Sequence, residues 1–421
     1  MPRRYFGTDG VRGVVGDALT LELVERLGRA ATLWARARRV FVGRDTRASG
    51  PELEDALVRG IVSGGASAIL GGVLPTPAVA LSGLDLGVVI SASHNPPEYN
   101  GVKFFDSRGH KLSDAAEEEI EALLDAPPAE EQGSVEESDE PAGFYIDHVV
   151  DKFGADLEGM RIAVDCANGA YSKIAPDVFE QLGAHVRAFF DRPDGTNINV
   201  GCGATDTAAL QREVVAGGFD LGIAFDGDGD RMLAVDEQGA LVDGDQIIAI
   251  LALHLGVELV AVTQMTNHGF HALMQQRGIR VLTTDVGDRY VLEALRREHG
   301  LLGGEQSGHL IYLRDHVSGD GLAAALLLCA AVHGRRLSEA AAVMPRWAQY
   351  LRNIRVASKE LTEPVRAAVD RLNGELDGSG RVLVRASGTE PLIRVLAEAE
   401  NEDVAQEACA SLAALVEKEL G

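Results

Sequence analysis

The 421 residues contain no CxxC pair, and the four cysteines, Cys166, Cys202, Cys329 and Cys409, are widely scattered. That excludes a disulfide framework and a clustered zinc site, and it fits a reducing compartment. Long hydrophobic runs are also missing. The longest, GLAAALLLCAAV, is too short to cross a bilayer and reads as a buried helix. The opening stretch MPRRYFGTDG has no apolar core of the signal-peptide kind, so a cytoplasmic protein is expected. Basic residues are scarce: 39 Lys and Arg against 64 Asp and Glu leave a formal charge of −25. Nucleic acid and anionic membranes are therefore not expected as partners, although local arginines can still steer an anionic small molecule into a cleft. No fixed-period repeat occurs, which excludes solenoids and propellers.

Apolar residues make up 46% of the chain, enough for packed cores, and the length exceeds what one core usually organises. Short β-branched runs such as RVFVGRD, GVVISASH, RIAVDCANG and LGIAFDG alternate with helical patterns. The spacing predicts an α/β fold, with helices covering mixed or mostly parallel sheets. Residues 126–143, rich in proline and carboxylates, read as a solvated surface loop that separates a first unit from a second. A softer boundary lies at VDGDQ. From Trp347 onward adjacent strands and helices suggest a smaller C-terminal α+β unit. Four units are expected, at 1–143, 144–243, 244–346 and 347–421.

The sharpest motif is DGDGDR, residues 226–231, directly after the strand-like LGIAF. Three carboxylates at alternate positions can curl around one cation, because the intervening glycines remove the bulk that would block the curl. Ligands that are all oxygen select a hard ion such as Mg2+. A calcium EF-hand loop matches at Asp226, Asp228, Asp230 and Glu237, but Arg231 stands where its turn needs glycine. An ordinary acidic turn is the plainer alternative, although three converging acids are costly without a counter-ion.

RASGTEPLIR, residues 385–394, lies between two strand-like runs. Ser387, Gly388 and Thr389 can aim successive N–H groups at an anion, and Arg385 and Arg394 can fork a phosphate. A plain hairpin turn is the competing reading. In GGEQSGH, residues 303–309, Glu305 and Ser307 could each bond one of two neighbouring sugar hydroxyls; a capped helix start is the alternative.

ISASHNPPEYNGVKFF, residues 90–105, carries Ser93, His94 and Lys103. In an extended segment adjacent side chains point to opposite faces, so His94 is expected to be a poor base for Ser93. There is no GxSxG elbow. A serine that carries a phosphoryl group fits better, with the aspartate loop supplying a cation. Lys103 is a candidate proton shuttle, which would require burial or neighbouring arginines to lower its pKa.

Taken in order, FGTDGVRG, SASHNP, NGVKFF, DGDGDR, GEQSGH and RASGTEP resemble the α-D-phosphohexomutase superfamily over essentially the whole chain. DCANGA, TNIN, VDGDQ, VGDRYV and SGDGL resemble its glucosamine branch. The resemblance implies three related α/β domains and a smaller fourth around a central cleft; because water must be excluded during phosphoryl transfer, the fourth is expected to close over it. Ser93 would carry the phosphoryl group, and one Mg2+ would sit on Asp226, Asp228, Asp230 and the phosphoserine oxygen of Ser93. Glu305 and Ser307 would read the sugar, and Arg385, Ser387, Gly388, Thr389 and Arg394 would grip the phosphate not being transferred. Lys103, Arg12 and His309 would line the reaction centre. The implied reaction interconverts glucosamine 6-phosphate and glucosamine 1-phosphate through a 1,6-bisphosphate, on the route to UDP-N-acetylglucosamine and cell-wall precursors. A homodimer is a further family expectation. PPEYNG and MTNHG depart from the branch's usual patterns and bear on sugar preference. The rivals are a phosphomannomutase or phosphoglucomutase, a magnesium-dependent sugar phosphatase and a non-catalytic sugar-phosphate sensor.

Overall fold

The β-branched runs become strands of four separate sheets. A computed structural model describes residues 4–7, 9–376, 378–386 and 392–421. The first sheet contains β1 (Val11–Val14), β2 (Arg39–Arg44), β3 (Ser67–Val73), β4 (Leu86–Ile90), β5 (Tyr99–Asp106) and β6 (Val135–Glu137), in the order β1-β5-β4-β2-β3-β6. It is mixed: β5 runs antiparallel to β1 and β4, and the remaining pairs are parallel. Every residue of β4, LGVVI, is buried, as expected for a strand covered on both faces. The helix Leu21–Ala35 begins where Thr20 accepts the Leu23 N–H, and it buries Leu23, Val24, Leu27 and Ala31 along one stripe. The helix Gly50–Ser63 packs so close to it that a Cβ on Gly60 would lie 2.0 Å from the Glu25 carbonyl.

Residues 126–143 are not entirely loop. Val135–Glu137 pair with β3 as a parallel edge strand, and the helix Glu140–Phe153 starts inside the same stretch. All three side chains of β6 are exposed, so its hydropathy gives no sign of a strand. It is held by backbone pairing alone, and its glutamates suit an edge.

The second sheet has the order β11-β10-β9-β7-β8, built from β7 (Arg161–Asp165), β8 (His185–Phe189), β9 (Leu221–Phe225), β10 (Met232–Asp236) and β11 (Leu241–Val242). DGDGDR is the turn that joins antiparallel β9 and β10. The third has the order β13-β12-β14-β15, from β12 (Leu259–Thr263), β13 (Arg280–Thr284), β14 (Leu302–Gly304) and β15 (Leu310–Tyr312). GGEQSGH turns between antiparallel β14 and β15, so it is not a helix start. Asp243 and Gln246 form a capping box on the helix Gly244–Leu255. The apolar run Gly321–Val332 is a helix that is buried almost throughout and capped by Asp320.

Contacts divide the chain into two compact units, Met1–Gln264 with Leu282–Ala341, and Met265–Val281 with Ala342–Gly421. The second contains the antiparallel sheet β16-β18-β17, from β16 (Ala348–Arg355), β17 (Gly380–Ala386) and β18 (Leu392–Ala399). The helices Glu363–Leu376 and Glu402–Leu420 cover a core that includes Ile354, Val382, Ile393, Leu412 and Val416. The class is the expected one, α/β layers followed by a small α+β unit. No helix among the described residues is long and apolar enough to cross a membrane.

Candidate active site

Ser93 lies three residues beyond the end of β4, in a loop rather than a strand, with a left-handed backbone at φ 52°. Its Oγ donates to Asp226 Oδ2 at 2.6 Å and lies 3.3 Å from His94 Nδ1. The expectation that His94 points away from Ser93 is therefore incorrect, because the chain is not extended here. The imidazole is nevertheless a weak base. Burial, then Arg231 and Arg12, push its pKa down to about 4.

The β9–β10 turn brings Asp226, Asp228 and Asp230 together, all buried, with one oxygen from each within 4.8 Å of the others. Both glycines of the motif are needed for definite steric reasons. A Cβ on Gly227 would lie 2.7 Å from the Ser93 carbonyl oxygen, and one on Gly229, at φ 76°, would meet the Tyr171 ring at 2.4 Å. An EF-hand is ruled out by the flanking strands and by Glu237, which binds Ser338 Oγ at 2.5 Å instead. Burial raises the pKa of Asp226, and the charges of Asp228 and Asp230 raise it further. Asp228 is lowered: burial and Asp230 oppose ionisation, but Lys103 and Thr76 outweigh them. Thr76 Oγ1 donates to Asp228 Oδ2 at 2.6 Å, while Asp228 Oδ1 is buried and accepts no hydrogen bond. An orphaned anionic oxygen beside two further carboxylates fits a hard divalent cation such as Mg2+.

Lys103 comes from the middle of β5. Its Nζ is 2.7 Å from Asp228 Oδ2, 3.1 Å from Asp9 Oδ2 and 3.3 Å from Asp230 Oδ2. Burial alone would favour the free amine, but Asp228, Asp9 and Asp230 together hold the ammonium well above its ordinary range. The lowered pKa expected of a proton shuttle is thus not found; Lys103 is a fixed positive charge on the acid cluster. In the metal-free protein it is the counter-ion of these acids, and a bound cation would share that task. Lys103→Met should therefore lower Tm more in chelator than in millimolar Mg2+, because removing one partner of a buried pair costs about 3–5 kcal/mol. Thermal melts under the two conditions check this; equal losses would contradict it.

Three charged residues not singled out from the sequence complete the cluster: Asp9, Lys111 and Asp288. Arg12, paired through β1 with β5, forms an ion pair with Asp9. Lys111 Nζ lies 2.7 Å from both Asp9 Oδ1 and Asp288 Oδ2. Asp288 Oδ2 is 3.4 Å from His309 Nε2, and His309 Nδ1 is 3.7 Å from Asp230 Oδ1. With Lys103 bridging Asp9 and Asp230, the ion pairs close into a ring drawn from all three α/β layers. His309 is placed by a β-bridge to Arg231, next to a 2.9 Å bond from the Met232 N–H to the Gly308 carbonyl. Burial disfavours the imidazolium, but Asp288 and Asp230 prevail and raise its pKa. Asp9 and Asp288 sit inside FGTDGVRG and VGDRYV, so the motifs were visible but the pairings were not.

Glu305 is tied to the start of the helix Asp288–Glu298, with its Oε1 accepting the N–H of the capping residue Gly287 at 3.0 Å, and Ser307 is exposed on the β14–β15 turn. Arg385 and Arg394 belong to the second compact unit, where they are direct cross-strand partners on β17 and β18. Like charges placed opposite each other on a sheet repel. Ser387, Gly388 and Thr389 lie outside the described residues.

Four family models match in sequence: phosphoglucomutase/phosphomannomutase alpha/beta/alpha domain I at 3–130, domain II at 144–239, domain III at 243–348 and the C-terminal domain at 351–415. The chain belongs to the phosphoglucomutase/phosphomannomutase family of α-D-phosphohexomutases. It is thus an isomerase of the phosphotransferase kind. Among its relatives, a phosphoglucosamine mutase from Moorella thermoacetica is 49% identical, covering 97% of this chain and 98% of its own length. Another from Symbiobacterium thermophilum is 47% identical over the whole of both chains. In fold, a phosphoglucomutase/phosphomannomutase family protein from Burkholderia thailandensis superimposes with a TM-score of 0.84 at 24% identity, covering 99% of this chain and 98% of its own. The N-acetylphosphoglucosamine mutase of Aspergillus fumigatus, solved with GlcNAc-6P and magnesium, gives 0.70 at 19% identity, covering 99% and 96%.

Proposed function

We propose that this phosphohexomutase interconverts glucosamine 6-phosphate and glucosamine 1-phosphate, with Ser93 as the phosphoryl carrier. The observation that carries this reading is the 2.6 Å contact of Ser93 Oγ with Asp226, inside a buried three-carboxylate cluster. The choice of glucosamine is supported by the names of the relatives that are 45–50% identical along nearly the whole chain.

Phospho-Ser93 gives its phosphoryl group to O1 of the 6-phosphate; the Ser93 O–P bond breaks, the O1–P bond forms, and the hydroxyl proton replaces the phosphoryl on the serine. The 1,6-bisphosphate turns over. Its 6-phosphoryl then returns to Ser93, whose proton passes to O6, and glucosamine 1-phosphate leaves. Asp226, Asp228, Asp230 and Ser93 would hold a Mg2+ ion, which supplies charge neutralisation at the transferring phosphoryl. Lys103, Arg12 and His309 add positive charge around that group. Glu305 and Ser307 take the sugar hydroxyls, and Arg385, Ser387, Gly388, Thr389 and Arg394 take the second phosphate. The serine, metal, sugar and phosphate functions fall respectively to 1–143, 144–243, 244–346 and 347–421. A cytoplasmic homodimer acting on a small sugar phosphate completes the reading.

Turnover of glucosamine, glucose and mannose 6-phosphates side by side tests it. The highest kcat/KM is expected for the amino sugar. Preference for either neutral sugar overturns the specificity, and steady release of inorganic phosphate without isomerised product overturns the mutase reading.

A further inference from the structure

The left-handed turn that presents Ser93 is held by groups that none of the motif roles above includes. Arg47 is completely buried beneath the serine loop. One of its terminal nitrogens donates to the Ser93 carbonyl at 2.9 Å and the Asn95 carbonyl at 2.8 Å. The other donates to the carbonyls of Pro96 at 2.5 Å and Tyr99 at 2.9 Å, and Nε binds Asp45 at 2.9 Å. All five donors are used, so the loop is wound around one guanidinium. Lysine has neither the donors nor the planar fork to replace it. Asp45 also accepts the Ser91 hydroxyl at 2.5 Å, and Ser91 Oγ in turn accepts the Ser93 N–H at 2.9 Å.

From the second α/β layer, Asn199 Nδ2 reaches the same two carbonyls, Ser93 at 2.8 Å and Asn95 at 3.2 Å. Asn199 is itself left-handed, at φ 59°, a conformation asparagine tolerates better than most residues. The Ser93 carbonyl is thus gripped from two layers, and Gly227 leaves it no spare room.

We propose that Arg47 and Asn199 are positioning residues that fix the Ser93 peptide so that its Oγ faces the carboxylate cluster. The inference rests on Ser93 being the phosphoryl carrier. Its first consequence is a split in kinetics: both side chains are spent on the serine loop and neither is among the residues assigned to the sugar or the second phosphate, so losing either should slow phosphoryl transfer without weakening substrate binding.

The test uses full-length Asn199→Gly, which keeps the left-handed backbone free of strain, and Arg47→Lys, with Thr46→Val as a control. Thr46 Oγ1 donates to the Asn168 carbonyl at 2.6 Å, crossing between the same two layers without touching the serine loop. Charging of Ser93 by a hexose 1,6-bisphosphate is followed by intact mass, and kcat, KM and Tm are measured. Asn199→Gly and Arg47→Lys are expected to lose roughly 10–100-fold in kcat and in charging rate, with KM within about twofold. Thr46→Val should keep kcat while losing Tm. If wild type does not charge, the carrier role of Ser93 is wrong and the inference falls with it. If wild type charges and Asn199→Gly charges equally fast, or if Thr46→Val loses as much kcat as Asn199→Gly, the positioning role alone is overturned.

Discussion

Ser93→Ala should reduce turnover by about 10^4-fold or more, because it removes the atom that carries the phosphoryl group between the two half-reactions. The acid cluster does not depend on that hydroxyl for its geometry: the β9–β10 turn and Lys103 hold it. The variant should therefore fold, and Mg2+ should still raise its Tm. Steady-state assays beside melts with and without the metal separate lost chemistry from lost structure. A sugar-phosphate sensor would tolerate this substitution, so substantial residual turnover would count against the mutase mechanism.

The second large effect concerns the carboxylates. Chelation should stop turnover and Mg2+ should restore it, since charge neutralisation at a transferring phosphoryl is worth several kcal/mol, or about 10^3-fold and more. Asp226→Asn is the more discriminating variant. Burial, Asp228 and Asp230 raise the pKa of Asp226. The sign follows directly. A carboxyl whose folded pKa is raised stabilises the fold below its ordinary value, and that stability is lost as the pH rises through the raised value. At neutral pH a carboxyl so raised costs the fold stability, through a disfavoured charge or through the proton it must hold, and asparagine removes that cost. Tm in chelator should rise by a few degrees, each kcal/mol relieved being worth at most about 2–4 °C in a chain of this size. The Mg2+-dependent rise in Tm and the activity should both fall away. A variant less stable than wild type in chelator would contradict the account of like charges held together.

Local pattern made some of this architecture legible and left the rest hidden. LGIAF followed by DGDGDR reads directly as a strand end carrying three acids, because both strand and motif are contiguous. The buried helix Gly321–Val332 is equally plain from its unbroken apolar run. The edge strand Val135–Glu137 is not, since backbone pairing rather than side-chain burial makes it a strand. The orientation of His94 was misread for a related reason. Ser93 adopts a left-handed conformation imposed by Arg47 and Asn199, residues 46 and 106 positions away, and no local propensity encodes that. The charge state of Lys103 depends on Asp9, Asp228 and Asp230, which converge only in three dimensions. The ring through Lys111, Asp288 and His309 is hidden for the same reason.

The most direct test maps the phosphoryl group during turnover. Enzyme quenched while converting glucosamine 6-phosphate in the presence of a hexose 1,6-bisphosphate is digested, and the peptide containing residues 90–105 is sequenced by mass spectrometry. The account predicts a phosphoryl group on Ser93 that forms at least as fast as product. Phosphoryl on another residue, or turnover with Ser93 remaining unmodified throughout, would contradict the account.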